Sequence, residues 1–114
     1  MTSPPIRILL VDDHGIMREG LAAVLSRDEG LDVVGQAGTG ESAMQQFREL
    51  APDVCIVDLR MTPMDGVEIT EAMRQLNPAA RVILLTTYDT DEEVFRGLRA
   101  GAAEHGLLKL SDQL

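Results

Sequence analysis

The sequence predicts an α/β fold built on a doubly wound, five-stranded parallel sheet. Three observations carry that prediction. Short apolar runs alternate with amphipathic stretches along the whole chain. Apart from Arg7 in the first, the main runs are continuously apolar, which is how a strand buried on both faces reads. Four of them end in polar residues: Ile6–Val11 in Asp12 and Asp13, Val54–Val57 in Asp58, Val82–Leu85 in Thr86, and Leu107–Leu108 in Lys109. Parallel strands would gather those side chains at one edge of one sheet.

Each element has its own local reason. Ile6–Val11 is the first central strand. A helix follows over Ile16–Arg27, where Met17, Leu21, Val24 and Leu25 fall on one face. Val33–Gln36 reads as a shorter strand near an edge. Thr39 can cap a second helix over Glu41–Leu50, and Pro52 stops it. Asp53–Val57 is the second central strand. Leu59–Asp65 is a loop, marked by Thr62-Pro63 and Asp65-Gly66. Asp65 and Glu68 have capping-box spacing, and Ile69, Met73 and Leu76 line the third helix, which Asn77-Pro78 ends. Arg81–Leu85 is the fourth strand. Thr90 and Glu93 cap a fourth helix whose acidic first turn, Asp91–Glu93, complements the helix dipole; Gly101 closes it. Gly106–Leu108 is a brief fifth strand before Lys109.

This β-α-β-α-β-α-β-α-β order implies right-handed crossovers with helices on both faces. No repeat, low-complexity tract or linker interrupts it, so residues 1–114 read as one domain. Five residues follow Lys109, too few for a helix to cover the last strand. The expectation is a chain cut from something longer, or one that lacks that element.

Composition narrows the function. The chain is 45% hydrophobic and 25% charged, ordinary for a globular domain. No apolar run approaches the ~20 residues that cross a bilayer, and Met1–Pro5 lacks a signal-peptide pattern, so the expectation is cytoplasmic with no membrane contact. Cys55 is the only cysteine, which excludes an internal disulfide; it lies in an apolar run and reads as a buried thiol. The formal net charge of −9 makes a poor direct partner for DNA, RNA or anionic lipid.

The strand-end residues suit phosphate and Mg²⁺ chemistry. Ligands of open α/β sheets bind beyond the carboxyl ends of the strands. Mg²⁺ typically takes one or two carboxylates with waters and phosphate oxygens, and Asp12, Asp13 and Asp58 meet that need. Any one of these acids alone reads as a helix cap or a strand end. Asp58 opens the turn-rich loop DLRMTPMDG, and a carboxylate beside Mg²⁺ can attack phosphorus to form an aspartyl phosphate. Thr86 alone is a β-former, and Lys109 alone a solvated charge. At strand ends they are placed to donate to the phosphoryl group and to pair with an anion.

With these residues in place, the chain resembles the receiver domain of a two-component response regulator. The resemblance covers about Ile6 to Lys109. It is carried by Val11-Asp12-Asp13-His14, Val57-Asp58-Leu59-Arg60-Met61, Met64-Asp65-Gly66, Leu85-Thr86-Thr87-Tyr88-Asp89 and Leu98-Arg99-Ala100-Gly101-Ala102. The stretches LLVDDHGIMREGL and ILLTTYDTDEEVFRGLRAGA are similar to the NarL/FixJ subfamily, whose output is a LuxR-type helix-turn-helix domain. The resemblance implies a flavodoxin-like sheet of order 2-1-3-4-5. It implies that Asp58 is the phosphoacceptor for a sensor histidine kinase. Asp13, Asp58 and the backbone carbonyl of Arg60 would contact Mg²⁺, and Asp12 would help through water. Thr86 and Lys109 would engage the phosphate; the Arg60 and Tyr88 side chains would influence its lifetime. It also implies self-phosphorylation from small phosphodonors, self-dephosphorylation, and DNA contact only through an output domain absent from these residues.

Three features depart from the family pattern. Members usually carry proline four residues after the phosphorylated Asp; here Thr62 holds that place and Pro63 follows. Gly101–Lys109 is one residue longer than usual, so His105 or Gly106 takes the position of the aromatic switch residue. The extra residue makes a bulge and a displaced Lys109 one outcome. The third is the lack of residues for a fifth helix. The fourth helix, fifth strand and fifth helix commonly form a dimer face, so the resemblance admits a homodimer and association through uncovered sheet.

Rival functions are a stand-alone or degenerate receiver acting through protein contacts or as a phosphate sink, a Mg²⁺-dependent phosphohydrolase, and a dinucleotide-binding domain. Arg60 stands where the phosphohydrolase needs a general acid. No G-x-G-x-x-G follows the first strand.

Overall fold

The structure, a computed structural model, describes residues 4–86 and 107–109. The elements are β1 (Ile6–Val11), α1 (Gly15–Leu25), β2 (Leu31–Ala37), α2 (Gly40–Leu50), β3 (Val54–Asp58), α3 (Gly66–Leu76), β4 (Arg81–Thr86) and β5 (Leu107–Lys109). All strand pairs are parallel, in the order β2-β1-β3-β4-β5. The predicted fold class and strand order hold. The fourth helix predicted from Thr90 to Gly101, Tyr88, His105 and the residues after Lys109 lie outside the described residues.

Period-two alternation sorts the strand side chains into two cores. Leu9, Val11, Cys55, Val57, Val82 and Leu84 point to the α2–α3 face, where they meet Ala43, Met44, Phe47, Ile69 and Met73. Ile8, Leu10, Ile56 and Leu85 point to the other face and pack with Ala22, Leu21 and Leu25 of α1. This is why the strands read as continuous apolar runs: both faces are covered. A fully buried aliphatic side chain contributes about 1.5–3 kcal/mol relative to exposure.

Helix ends follow the local chemistry. The Thr39 hydroxyl accepts from Ser42 N–H at 3.0 Å and starts α2. Ala51 ends α2 in the left-handed region at φ 45°. Asp65 and Glu68 form the reciprocal capping box of α3, as predicted. The peptide between Thr62 and Pro63 is cis.

Two helix faces differ from expectation. In α1, Met17 and Val24 are 42% and 57% exposed, while Ala22 is buried and Arg18, Leu21 and Leu25 are half-buried. The inward stripe is 18-21-22-25, because Arg18 turns toward the sheet to reach the Asp12 carbonyl. In α3, Ile69 and Met73 are buried, but Leu76 lies in the last turn, past the edge of the core, and is 52% exposed. β2 is longer than predicted and lies at the edge of the sheet. Its register with β1 shifts between Ile8 and Leu9, leaving Val34 as the extra residue.

Candidate functional site

Strand register assembles the site. Val11 pairs with Val57, so Asp12 stands one step beyond the end of β1, next to Asp58. The Asp12 N–H donates to the Ala37 carbonyl at 3.0 Å, which extends the ladder and fixes its backbone. Asp58 pairs with Leu85 on β4, so Thr86 is the next residue along. On β5, Lys109 pairs with Thr86, in register with Leu84–Leu107 and Leu85–Leu108. That regular register answers the question raised by the extra residue: Lys109 ends its strand opposite Thr86.

The side chains of Asp12, Asp13, His14 and Asp58 converge; their ligand atoms all lie within 4.8 Å of one another. Asp12 is buried, Asp58 half-buried, and Asp13 and His14 exposed. Asp12 Oδ1 accepts from His14 N–H at 2.8 Å, and the same oxygen is 3.1 Å from His14 Nδ1. Nδ1 is also 3.0 Å from Asp13 Oδ1 and 3.7 Å from Asp58 Oδ2. Asp58 Oδ1 accepts from the Arg60 N–H at 3.1 Å, which ties the loop after β3 to the carboxylate. Gly66 brings the start of α3 against the end of β3, with its N–H donating to Leu59 O at 3.0 Å.

The charges are unbalanced. Burial pushes the Asp58 carboxyl up to about 6, and Asp12 and Asp13 push the same way. The Arg60 N–H and His14 pull it back only in part. The His14 imidazole is raised by its hydrogen bond to Asp12 and by the charge of Asp13. Three carboxylates this close suit a hard divalent cation, which supplies the missing positive charge and takes oxygen donors.

The sequence reading placed Asp12, Asp13 and Asp58 together, and they meet. Thr86 and Lys109 reach the same sheet edge by register. Two participants escaped it. In the sequence His14 stands out only as part of the Asp12-Asp13-His14 stretch, and its adjacency to two acids is the local signal. Arg18 donates from Nη1 to the Asp12 carbonyl at 2.6 Å and from Nε to Gln36 Oε1 at 3.2 Å. It braces the turn that carries the acidic pair, and nothing local in the sequence signals that contact.

A doubly wound parallel sheet with an acidic, cation-suited pocket at its carboxyl edge defines a phosphoacceptor-type α/β module. The chain belongs to the response regulator receiver domain family, whose model matches residues 8–113. Among curated proteins, it is similar to the response regulator protein VraR of Staphylococcus saprophyticus, 43% identical over 97 residues, 85% of this chain and 46% of that protein. VraR of Staphylococcus aureus is 41% identical over 96 residues, 84% of this chain and 46% of that protein. The chain thus spans about half the length of the curated relatives it matches. Among solved structures, the signal receiver domain of the response regulator NarL from Mycobacterium tuberculosis superposes with a TM-score of 0.87 at 34% identity, over 94% of this chain and 85% of that one. A LuxR-family two-component response regulator from Aurantimonas sp. SI85-9A1 gives 0.89 at 34% identity, over 94% and 75%. These relatives put the chain in the NarL/FixJ subfamily. Among the described residues, no helix is long and apolar enough to cross a membrane.

Proposed function

We propose that Asp58 is the phosphoacceptor of this receiver, acting in the cytoplasm, and that a sensor histidine kinase is its donor. The observation that carries the reading is the convergence of Asp12, Asp13 and Asp58 where β1 and β3 end. With an acid constant near pH 6, Asp58 is mostly ionised at neutral pH and nucleophilic. Its carboxylate oxygen attacks phosphorus, the P–N bond of the donor phosphohistidine breaks, and the electron pair leaves with the imidazole.

Asp12, Asp13, Asp58 and the Arg60 carbonyl would hold Mg²⁺, which offsets charge on the transferring oxygens. The Arg60 N–H orients Asp58 by fixing one oxygen and leaving the other for attack. Thr86 and Lys109, paired across β4 and β5, would bind the phosphoryl oxygens. Tyr88 and His105 would modulate phosphate lifetime and switching. The self-phosphorylation and self-dephosphorylation implied by the family use the same residues. In the complete protein, phosphorylation would switch a transcriptional output through a DNA-binding domain; the acidic receiver would not touch DNA itself.

Incubation with Mg²⁺ and acetyl phosphate, read by intact mass, tests the assignment. One phosphoryl adduct is expected, lost in Asp58→Asn and on chelation of Mg²⁺. An adduct that survives Asp58→Asn, or none on folded wild-type protein, would sink it.

A further inference from the structure

Arg18 sits in the first turn of α1, half-buried, with its cation turned to neutral partners. Among the described residues, both hydrogen bonds of its guanidinium go to uncharged oxygens: the Asp12 carbonyl at 2.6 Å and the Gln36 amide oxygen at 3.2 Å. The shorter bond is charge-assisted and lands on the peptide that joins Asp12 to Asp13. That peptide is planar, so holding its oxygen also holds the Asp13 N–H. On its other side, the Asp12 N–H donates to the Ala37 carbonyl at 3.0 Å. The backbone that carries the acidic pair is therefore pinned on both sides of Asp12. Gln36, the second anchor of Arg18, is itself fixed, because its carbonyl accepts from Gln46 Nε2 of α2 at 2.8 Å. The guanidinium fits there because residue 38 is glycine: a Cβ would lie 3.2 Å from Nη1.

Asp12, Asp13 and Asp58 gather three negative charges in one pocket. Their repulsion favours any backbone movement that separates them. We propose that Arg18 is a positioning residue for phosphoryl transfer: by clamping the Asp12–Asp13 peptide it keeps both carboxylates in reach of Asp58, and it thereby sets the affinity of the pocket for Mg²⁺ rather than the rate of the chemical step. The proposal rests on the reading of the pocket as the cation site of a phosphoacceptor and deepens it. Arg18 acts through the backbone of Asp12 and supplies no ligand atom. Groups that orient metal ligands in this way typically contribute about ten- to a hundredfold in metal affinity.

The test is calorimetric titration of the 114-residue chain with Mg²⁺, for wild type, Arg18→Ala and Arg18→Lys. Alongside it, the initial rate of phosphorylation by acetyl phosphate is followed across Mg²⁺ concentrations. Circular dichroism melts without Mg²⁺ fix a temperature at which each variant is folded. Arg18→Ala is expected to raise the Mg²⁺ Kd and the half-saturating Mg²⁺ concentration at least fivefold, with the rate at saturating Mg²⁺ within twofold of wild type. Arg18→Lys keeps a donor for the carbonyl and should return Kd to within threefold of wild type. A rise under fivefold in Arg18→Ala, a saturating rate reduced more than twofold, or a lysine variant no better than alanine overturns the proposal and leaves the pocket standing. Should Arg18→Ala not fold, Gly38→Val carries the test, because its side chain crowds Nη1 while Arg18 stays in place. A Kd raised threefold or more in that variant supports the clamp, and a smaller rise overturns it. Wild type that binds no Mg²⁺ or accepts no phosphoryl group would instead remove the reading of the pocket, and the role of Arg18 with it.

Discussion

Asp58 carries a tension between stability and function. Burial and the neighbouring acids raise it from its ordinary 3.8 to about 6, so the folded chain holds this proton more tightly than the unfolded chain does. Its stabilising contribution is therefore full below about pH 4 and lost as pH rises through about 6. In the absence of divalent cations at pH 7.5, Asp58→Asn should be more stable than wild type by roughly 1–2 kcal/mol, and the gain should vanish below pH 4. Urea melts across pH check this; equal stability of the two proteins at pH 7.5 would contradict the electrostatic account. Cys55 illustrates burial alone. Desolvation raises its thiol from 9.0 to about 12. The folded protein should resist thiol reagents at pH 8 and react at once in denaturant. By the same linkage, its contribution to stability is complete below pH 9 and lost as pH climbs toward 12.

At the scale of elements, α3 positions the pocket as much as the strands do. A Cβ on Gly66 would sit 2.7 Å from Leu59 Cα and against the Asp58 carbonyl oxygen. Those are backbone atoms and cannot swing aside. Gly66→Ala should cost roughly 1–3 kcal/mol in urea melts and slow phosphorylation by acetyl phosphate, because α3 must lift away from the end of β3. Wild-type stability in that variant would argue against the close approach. Helix α1 points outward instead. Ile16, 90% exposed and two residues beyond His14, leaves apolar surface at the start of α1. The proposed kinase, on bringing phosphohistidine to Asp58, would approach over that surface. Ile16→Asp should reduce transfer from the cognate kinase tenfold or more and leave phosphorylation by acetyl phosphate intact. An equal loss with both donors would show that the substitution damages the pocket rather than the docking.

Across the whole molecule, the pocket is where separate elements are joined by charge. Asp12 and Asp13 follow β1 and Asp58 ends β3, while strand register carries the backbone of Thr86 and Lys109 to the same edge. A cation that binds only when these elements are assembled stabilises the fold by mass action, by about 2.7 kcal/mol at a hundredfold excess over Kd. Mg²⁺ should therefore raise the melting temperature by several degrees in wild type and much less in Asp13→Asn, as measured by differential scanning calorimetry. An identical rise in both would remove Asp13 from the cation site.

The sequence by itself determined the architecture and most of the pocket. Continuous apolar runs specify strands covered on both faces, and alternation with helices specifies parallel crossovers. Parallel strands bring their terminal Asp, Thr and Lys residues to one edge, whatever the details of packing. Capping at Thr39 and at Asp65 with Glu68 was legible because its partners are three residues apart. Tertiary structure alone decided contacts between distant or competing groups. Helical spacing allowed Met17 and Val24 on the inner face of α1, but the reach of Arg18 to the Asp12 carbonyl rotated that face. The extra residue before Lys109 was visible, yet only pairing against β4 set it opposite Thr86. The turn of His14 away from its cap and over three carboxylates follows from their summed charge, which exists only once β1 and β3 lie side by side.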